Sequence, residues 1–293
     1  MKLILDKVQK NFNNITAVDK VSIEMESGLY GLLGSNGAGK TTLMRMLCTV
    51  LRPSEGRILY QGKDIFKLGE QYRDVLGYLP QEFGYYPDLK VKDYLGYIAS
   101  LKGLRRSFAK ERINELLELV GMQSHSSKKM RELSGGMKRR IGIAQSMLNN
   151  PEILILDEPT SGLDPKERIR FRNLADKLAN DRIVLLSTHI VSDIEAIAKE
   201  VFIMKDGKII NQGSVEKLRS SIPVSSWICR GPKERIEKIA NDKGNQAVTI
   251  RSNGNYAEAR ILSPVMPDES ALLSTVTLED VFLYYFGEER GRE

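Results

Sequence analysis

The stretch GSNGAGKTT, residues 34 to 42, decides the fold of this chain. It follows an apolar strand-like run, LYGLL at 29 to 33, and precedes a segment with helical apolar spacing. Glycines at positions 34, 37 and 39 permit backbone angles that are closed to other residues, so successive N–H groups can turn inward around phosphate oxygens. A strand, this loop and a helix in that order predict a phosphate-binding loop.

Each residue of this loop has a predicted role in nucleotide binding. Lys40 would bridge the β- and γ-phosphates of a nucleoside triphosphate, and the Thr41 hydroxyl would ligate Mg²⁺, which prefers oxygen ligands. The predicted binding residues are Gly34, Ser35, Asn36, Gly37, Ala38, Gly39, Lys40, Thr41 and Thr42. A plain glycine turn that caps a helix is the alternative, and the strand before the loop argues against it.

The segment after the loop, KTTLMRMLCTVL at 40 to 51, is predicted to be a helix that ends near Pro53. Its apolar residues recur at spacings of three and four, which places them on one face. The residues of this face are Leu43, Met46, Leu47 and Val50.

Two acidic residues follow a second apolar run, ILIL at 153 to 156. A strand that is apolar at every position is typical of the buried centre of a parallel sheet. At its end, Asp157 would hold Mg²⁺ through the metal's water, and Glu158 would orient or deprotonate the water that attacks the γ-phosphate. Surface carboxylates at a strand end are the alternative. Together the motifs predict a P-loop NTPase, a class that is wider than any one function.

Strand and helix patterns divide the rest of the chain. Strand-like segments dominate residues 1 to 85, and helical spacing dominates residues 88 to 150. The turn Asp206-Gly207 between two apolar runs predicts a hairpin that closes the main domain near residue 215. We therefore expect an α/β nucleotide-binding domain at 1–215, with an antiparallel β subdomain and a helical subdomain, and a small α+β module at 216–293.

Composition excludes several classes of protein. The chain has 293 residues, its apolar runs are far shorter than the roughly 20 residues that span a bilayer, and the amino terminus lacks the apolar region of a secretory signal. The expected location is therefore the cytoplasm. Cys48 and Cys229 have no metal-ligand spacing and are predicted to be buried thiols. The net charge of +6 is spread along the chain and does not by itself identify a partner.

Residues 133 to 137, LSGGM, indicate which kind of P-loop NTPase this chain is. Here the chain resembles the nucleotide-binding subunits of ABC transporters, whose signature is usually written LSGGQ, and the order of the other motifs agrees. Ser134 can cap a helix, and Gly135 and Gly136 leave its first N–H groups open to an anion. The resemblance implies that these residues contact ATP held by the phosphate loop of a facing subunit. Met137 departs from the usual glutamine, and an N-capped helix without a ligand is the alternative.

The resemblance assigns roles to further residues by their position. Phe12 would stack on adenine, although an ordinary core aromatic is a rival interpretation. Gln81 would touch both the Mg²⁺ site and the transmembrane partner, where a solvated loop amide is the alternative. Asp164 would link the two nucleotide sites, and His189, at the end of the strand-like run RIVLLSTH, would contact the γ-phosphate. Alternatives are a glycine turn before a helix for Asp164 and a structural role for His189.

The function implied by the resemblance is ATP hydrolysis that powers transport, with ATP and Mg²⁺ as cofactors. The implied partners are a second nucleotide-binding subunit, identical or related, and a separate membrane-spanning permease, with the chain held at the inner face of the membrane. The tail, VTLEDVFLYYFG at 276 to 287, is similar to the ends of bacterial ABC-2 export subunits. A plain packing helix explains the same pattern. An ABC-type ATPase acting on DNA or the ribosome, and a non-hydrolytic regulatory subunit, are the competing functions.

Overall fold

The computed structural model describes residues 1–242 and 244–287. It divides into two compact units, Met1–Ile210 and Asn211–Glu293. The elements up to the end of the hairpin are β1 (Leu3–Phe12), β2 (Ile15–Met25), β3 (Gly28–Leu33), α1 (Lys40–Leu47), β4 (Glu55–Tyr60), β5 (Lys63–Asp64), α2 (Ile65–Leu68), α3 (Glu70–Asp74), β6 (Leu76–Leu79), α4 (Val91–Leu101), α5 (Arg106–Leu119), α6 (Gly135–Ser146), β7 (Ile153–Asp157), α7 (Pro165–Ala179), β8 (Ile183–Thr188), β9 (Glu200–Lys205) and β10 (Lys208–Gly213).

A six-stranded sheet in the order β10-β9-β3-β8-β7-β6 forms the centre of the first unit. The strands from β9 to β6 pair in parallel. Every residue of β7 and of β8 is buried, as their uninterrupted apolar runs predicted. The expected α/β fold with a parallel sheet is confirmed.

A second sheet, in the order β2-β1-β4-β5, is antiparallel. Apolar side chains from this sheet, from α1 and from the parallel sheet share one core, which includes Leu5, Leu43 and Ile155. This shared core fixes α1, and with it the phosphate loop, against the end of β3. The helices α4, α5 and α6 form the predicted helical region, and α5 buries Ile113, Leu116 and Leu117 on one face.

The prediction for α1 is wrong at its carboxyl end. The helix ends at Leu47, Thr49 adopts a left-handed φ of 59°, and Val50 lies beyond the helix with 64% of its surface exposed. A residue with positive φ cannot continue a right-handed helix, so the apolar spacing runs past the true end. The hairpin prediction is confirmed, since Asp206 and Gly207 both take positive φ between β9 and β10.

The second unit is a small α+β structure. Its remaining elements are α8 (Val215–Arg219), β11 (Ser225–Pro232), α9 (Lys233–Asn241), β12 (Gln246–Asn253), β13 (Tyr256–Ser263), β14 (Leu272–Ser274) and α10 (Leu278–Phe286). The sheet order is β12-β13-β11-β14, and residues of α9 share its core. The buried Asp280 carboxylate lies 2.5 Å from Arg260 Nη2, and a capping box with Thr277 fixes the start of α10.

Both cysteines are buried free thiols, as predicted. Among the described residues, no helix combines the length and the apolar character that crossing a bilayer requires.

Candidate functional site

The carboxyl ends of four neighbouring parallel strands bring the predicted site residues to one edge of the sheet. Gly34 follows β3, Gln81 follows β6 by two residues, Asp157 ends β7, and His189 follows β8. Parallel strands end at the same edge, so residues distant in sequence meet there. The site is thus a direct consequence of the sheet order.

The Lys40 side chain is hydrogen-bonded to the backbone of the phosphate loop. This side chain is buried, and Nζ donates hydrogen bonds to the carbonyls of Gly34 at 2.8 Å and Ser35 at 3.1 Å. The ammonium also lies 3.5 Å from Glu158 Oε1. Burial lowers the pKa of Lys40 from its usual value, an effect that the negative charges of Glu158 and Asp157 oppose. The charge therefore sits at the centre of the loop, where a phosphate would meet it.

Two glycines of the loop differ in what surrounds them. Gly39 has φ of 102°, and a Cβ there would lie 2.3 Å from the carbonyl oxygen of Ala17. Gly37 has φ of 81°, but a Cβ there would have no protein atom within 4 Å. The backbone at Gly37 therefore faces open space on the exposed side of the loop, while Gly39 packs against the protein.

We expect Gly39→Ala to destabilise the fold more than Gly37→Ala. Both substitutions place alanine at positive φ, which costs about 1 kcal/mol or more. Only Gly39→Ala adds a backbone collision, so its free energy of unfolding should fall by at least about 1 kcal/mol more than that of Gly37→Ala. Urea unfolding of the two variants measures the difference. Equal losses of stability would contradict the packing described for Gly39.

Asp157 and Thr41 place oxygen ligands side by side. Thr41 Oγ1 lies 3.5 Å from Asp157 Oδ1, which also accepts a 2.6 Å hydrogen bond from Ser187 Oγ. The Asp157 side chain is buried, so its orientation is fixed by these hydroxyl groups. Ser187 also accepts a 2.9 Å hydrogen bond from the backbone N–H of Glu158 and thus orders both acidic residues.

Glu158 stands between a cation and a histidine. Its Oε2 lies 3.0 Å from His189 Nδ1, and its Oε1 is the atom nearest Lys40. Oε1 is buried and has no hydrogen-bond donor among the described residues. The backbone of Glu158 has φ of 46°, which is unusual for a residue other than glycine. A strained backbone and an unsatisfied carboxylate oxygen are features that cluster at functional sites.

The donor set is compatible with Mg²⁺ but does not form a complete metal site. Within residues 1–242 and 244–287, no three His, Cys, Asp or Glu side chains are grouped to hold a metal ion. Mg²⁺ commonly keeps several waters and takes one or two protein oxygens together with substrate phosphates. The adjacent oxygens of Thr41 and Asp157 fit that mode of binding.

The signature residues lie at the start of α6. Ser134 is the N-cap, and its Oγ accepts a 3.3 Å hydrogen bond from the N–H of Met137. Ser134 and Gly135 are exposed, and Gly136 lies against the side chains of Leu163 and Glu167. The predicted capping is therefore observed, and the helix amino terminus is open to solvent.

The remaining predicted residues occupy the surface around the site. Phe12 is 44% exposed with Lys10 Nζ 5.3 Å from its ring, so it is not a core aromatic. Gln81 is exposed in the loop after β6. Asp164 caps α7 through a 2.9 Å hydrogen bond from the Glu167 N–H. Their assigned contacts with ATP, metal or partner stay predictions.

Sequence reasoning missed two residues that organise the site. Ser187 is one of two polar residues, with Thr188, at the end of the otherwise apolar strand β8, which is a weak signal that it faces the acidic pair. Arg139 lies in the basic run KRR at 138 to 140, which suggests solvent exposure, yet its side chain is buried and bonded to backbone carbonyls near Glu158. Nothing in the local pattern distinguishes Arg139 from its neighbours.

Comparison with known sequences supports the resemblance. Residues 18–161 match the family described as ABC transporter. An uncharacterized ABC transporter ATP-binding protein of Bacillus subtilis, YxlF, is 35% identical over 87% of this chain and 85% of its own length. The Nod factor export ATP-binding protein I of Ralstonia nicotianae is 31% identical over 98% of this chain and 94% of its own length.

Comparison with solved structures gives the same result. The structure of cbiO1 from Clostridium perfringens, which is part of the ABC transporter complex cbiONQ, is similar with a TM-score of 0.69 and 26% identity. The likeness covers 81% of this chain and 94% of cbiO1. The fold is therefore that of the ATP-binding subunits of ABC transporters.

Proposed function

Because the chain belongs to the family of ABC transporter ATP-binding proteins, we propose that its P-loop site hydrolyses ATP with Mg²⁺ to power export through a separate membrane-spanning permease. The observation that carries this proposal is the Glu158 carboxylate, which is held between Lys40 and His189 beside the phosphate loop. The Lys40 ammonium, the Glu158 carboxylate and the His189 imidazole thus lie together at the end of the phosphate loop.

The phosphate loop binds the triphosphate. Its N–H groups and the amino terminus of α1 attract the phosphate oxygens, and the Lys40 ammonium neutralises negative charge on the β- and γ-phosphates. Phe12, exposed at the end of β1, offers its ring face to adenine. These contacts fix the γ-phosphate close to Glu158.

Glu158 acts as the general base. Its Oε1 lies 3.5 Å from Lys40 Nζ and forms no other polar contact within the described part of the chain, so it is available to accept a proton from a water that attacks the γ-phosphate. His189 lies 3.0 Å from Oε2 and orients the carboxylate. It would also contact the γ-phosphate.

Mg²⁺ fits beside Thr41 and Asp157, where it would neutralise charge that develops on the phosphates. Thr41 would ligate the ion directly and Asp157 through water, with Gln81 as a further ligand. Ser187 keeps Asp157 turned toward Thr41.

A second copy of this chain completes the site. Ser134, Gly135 and Gly136 present an exposed helix amino terminus, which is a general mode of phosphate binding. In the facing subunit they would contact the γ-phosphate of ATP held by this chain, and Asp164 would join the two sites. ATP can favour the closed pair only through contacts that exist in that pair alone.

An exposed aromatic patch, Tyr86 and Tyr97, is the proposed docking surface for the permease. The two rings meet edge to face with centroids 5.3 Å apart, and Tyr86 is 54% exposed. Aromatic side chains that are held rigidly at a surface are common anchors in interfaces. Tyr86 lies in the loop that follows Gln81, and Tyr97 lies in α4. Binding there would hold the chain at the inner face of the membrane.

Co-purification from membranes tests this function. We expect the chain to bring a membrane-spanning protein with it, and the double variant Tyr86→Ala, Tyr97→Ala to lose that protein while keeping ATPase activity in solution. Tyr256→Ala, which removes an exposed tyrosine from the second unit, is the matched control. Recovery of the same membrane protein with the double variant would contradict the docking surface. Salt-sensitive binding to nucleic acid in its place would favour the competing DNA or ribosome function.

A further inference from the structure

Arg139 is a buried arginine whose partners are all on the backbone. It lies in the second turn of α6, and its side chain is only 8% exposed. A guanidinium carries five N–H groups in a planar fork. Here they donate to five backbone carbonyl oxygens. Nε donates to Pro159 at 3.0 Å, and Nη1 donates to Gln81 at 2.6 Å and to Pro80 at 3.3 Å. Nη2 donates to Asp157 at 3.0 Å and to Glu158.

These carbonyls belong to two loops of the nucleotide site. Pro80 and Gln81 follow β6. Asp157 ends β7, the strand that pairs with β6, and residues 158–159 follow it. One side chain from α6 therefore joins the loop that carries Gln81 to the loop that carries Glu158. The signature residues Ser134, Gly135 and Gly136 lie at the amino terminus of the same helix.

The backbone of Glu158 needs such support. Its φ of 46° is a conformation that residues other than glycine keep only when surrounding contacts impose it. The N–H of Glu158 donates to Ser187, and its carbonyl accepts from Arg139. Both backbone groups are thus fixed, and the carboxylate is turned toward Lys40 and His189.

We propose that Arg139 is a positioning residue for ATP hydrolysis, which holds Glu158 in its left-handed conformation and ties Glu158 and Gln81 to the signature helix. The inference rests on the proposed function and assigns a role to a residue outside the phosphate loop and outside the exposed signature. A shift of α6 would reach Glu158 and Gln81 together, because the same guanidinium holds both loops.

We expect that a lysine at position 139 cannot do what Arg139 does. It keeps the positive charge but has three donors on a single nitrogen, which cannot reach five carbonyls in one plane. We expect Arg139→Lys to lower kcat by about 10²-fold, since a small displacement of a catalytic group has effects of that size. ATP affinity should stay near that of the unchanged protein, because Lys40 and the phosphate loop are not altered.

Arg182→Lys is the matched control. Arg182 is equally buried, at 9% exposure, and its Nη1 also donates to a backbone carbonyl, that of Pro151. It precedes β8 and so lies at the opposite edge of the sheet from His189. We expect Arg182→Lys to lower the melting temperature as Arg139→Lys does, and to leave kcat unchanged.

A double variant separates positioning from a general structural effect. In a Glu158→Gln background the carboxylate is already absent, so adding Arg139→Lys should reduce the remaining single-turnover rate by less than about 10-fold, which is the part that acts through the loop of Gln81. A further loss of about 10²-fold in the rate of the Glu158→Gln protein would overturn the proposal. So would a folded Arg139→Lys with unchanged kcat. If the lysine variant does not fold, Arg139→Gln is measured with the same expectations.

An unaltered chain without ATPase activity would overturn the proposed function. An active chain whose hydrolysis is insensitive to Arg139 would overturn only this inference.

Discussion

Lys40→Ala is expected to abolish most of the nucleotide chemistry of this protein. The substitution removes the charge at the centre of the phosphate loop and the hydrogen bonds to the carbonyls of Gly34 and Ser35. A hydrogen bond to a charged group contributes about 1.5–3 kcal/mol, so ATP affinity should fall about 10- to 100-fold. Lost stabilisation of charge in the transition state should lower kcat by about a further 10²-fold. Together these losses reduce kcat/KM by about 10³- to 10⁴-fold.

Lys199→Ala is the control for Lys40→Ala. Lys199 also donates to a backbone carbonyl, that of Ser27, but at the opposite end of β3. Nucleotide titration and phosphate release, measured on both variants, give affinity and kcat separately. A Lys40→Ala protein that binds and hydrolyses ATP within about 3-fold of the unchanged chain would contradict the assignment of the loop, because that ratio corresponds to less than 1 kcal/mol.

Glu158→Gln should separate binding from hydrolysis. The amide keeps the size of the side chain but cannot accept the proton of the attacking water, so kcat should fall by about 10² to 10⁴. ATP affinity should remain close to that of the unchanged chain, because the phosphate loop is intact. Single-turnover hydrolysis with labelled ATP measures both quantities.

Asp181→Asn is the matched control for Glu158→Gln, because it neutralises an exposed carboxylate just before β8, far from its carboxyl end. Its kcat should not change. A loss below tenfold for Glu158→Gln would exclude Glu158 as the general base, and the base would have to be sought elsewhere around the γ-phosphate.

The sequence alone predicted the parts of the site that depend on local pattern. The phosphate loop, the acidic strand end and the Ser134 cap are recognisable because short-range spacing determines their structure. The parallel sheet followed from two strands that are apolar at every position, β7 and β8. These features require no knowledge of distant contacts.

Features that depend on long-range contacts were not predictable. Arg139 has the same local setting as Lys138 and Arg140, and only the meeting of α6 with two loops makes it buried. The left-handed backbone of Glu158 depends on Ser187, which is distant in sequence. The end of α1 before Val50 was likewise not predictable, because the apolar spacing continues past the left-handed backbone conformation of Thr49.

If two polypeptides share each bound ATP, mixing two inactive variants of this chain should restore hydrolysis. In a dimer of Lys40→Ala with Ser134→Arg, one site combines an intact phosphate loop with an intact signature, whereas neither variant alone can build such a site. Random pairing in an equal mixture yields this dimer half the time, so hydrolysis should recover to at most about a quarter of the unaltered rate. A mixture no more active than its separate components, or a Ser134→Arg chain that is fully active alone, would show that one chain builds the ATP site by itself.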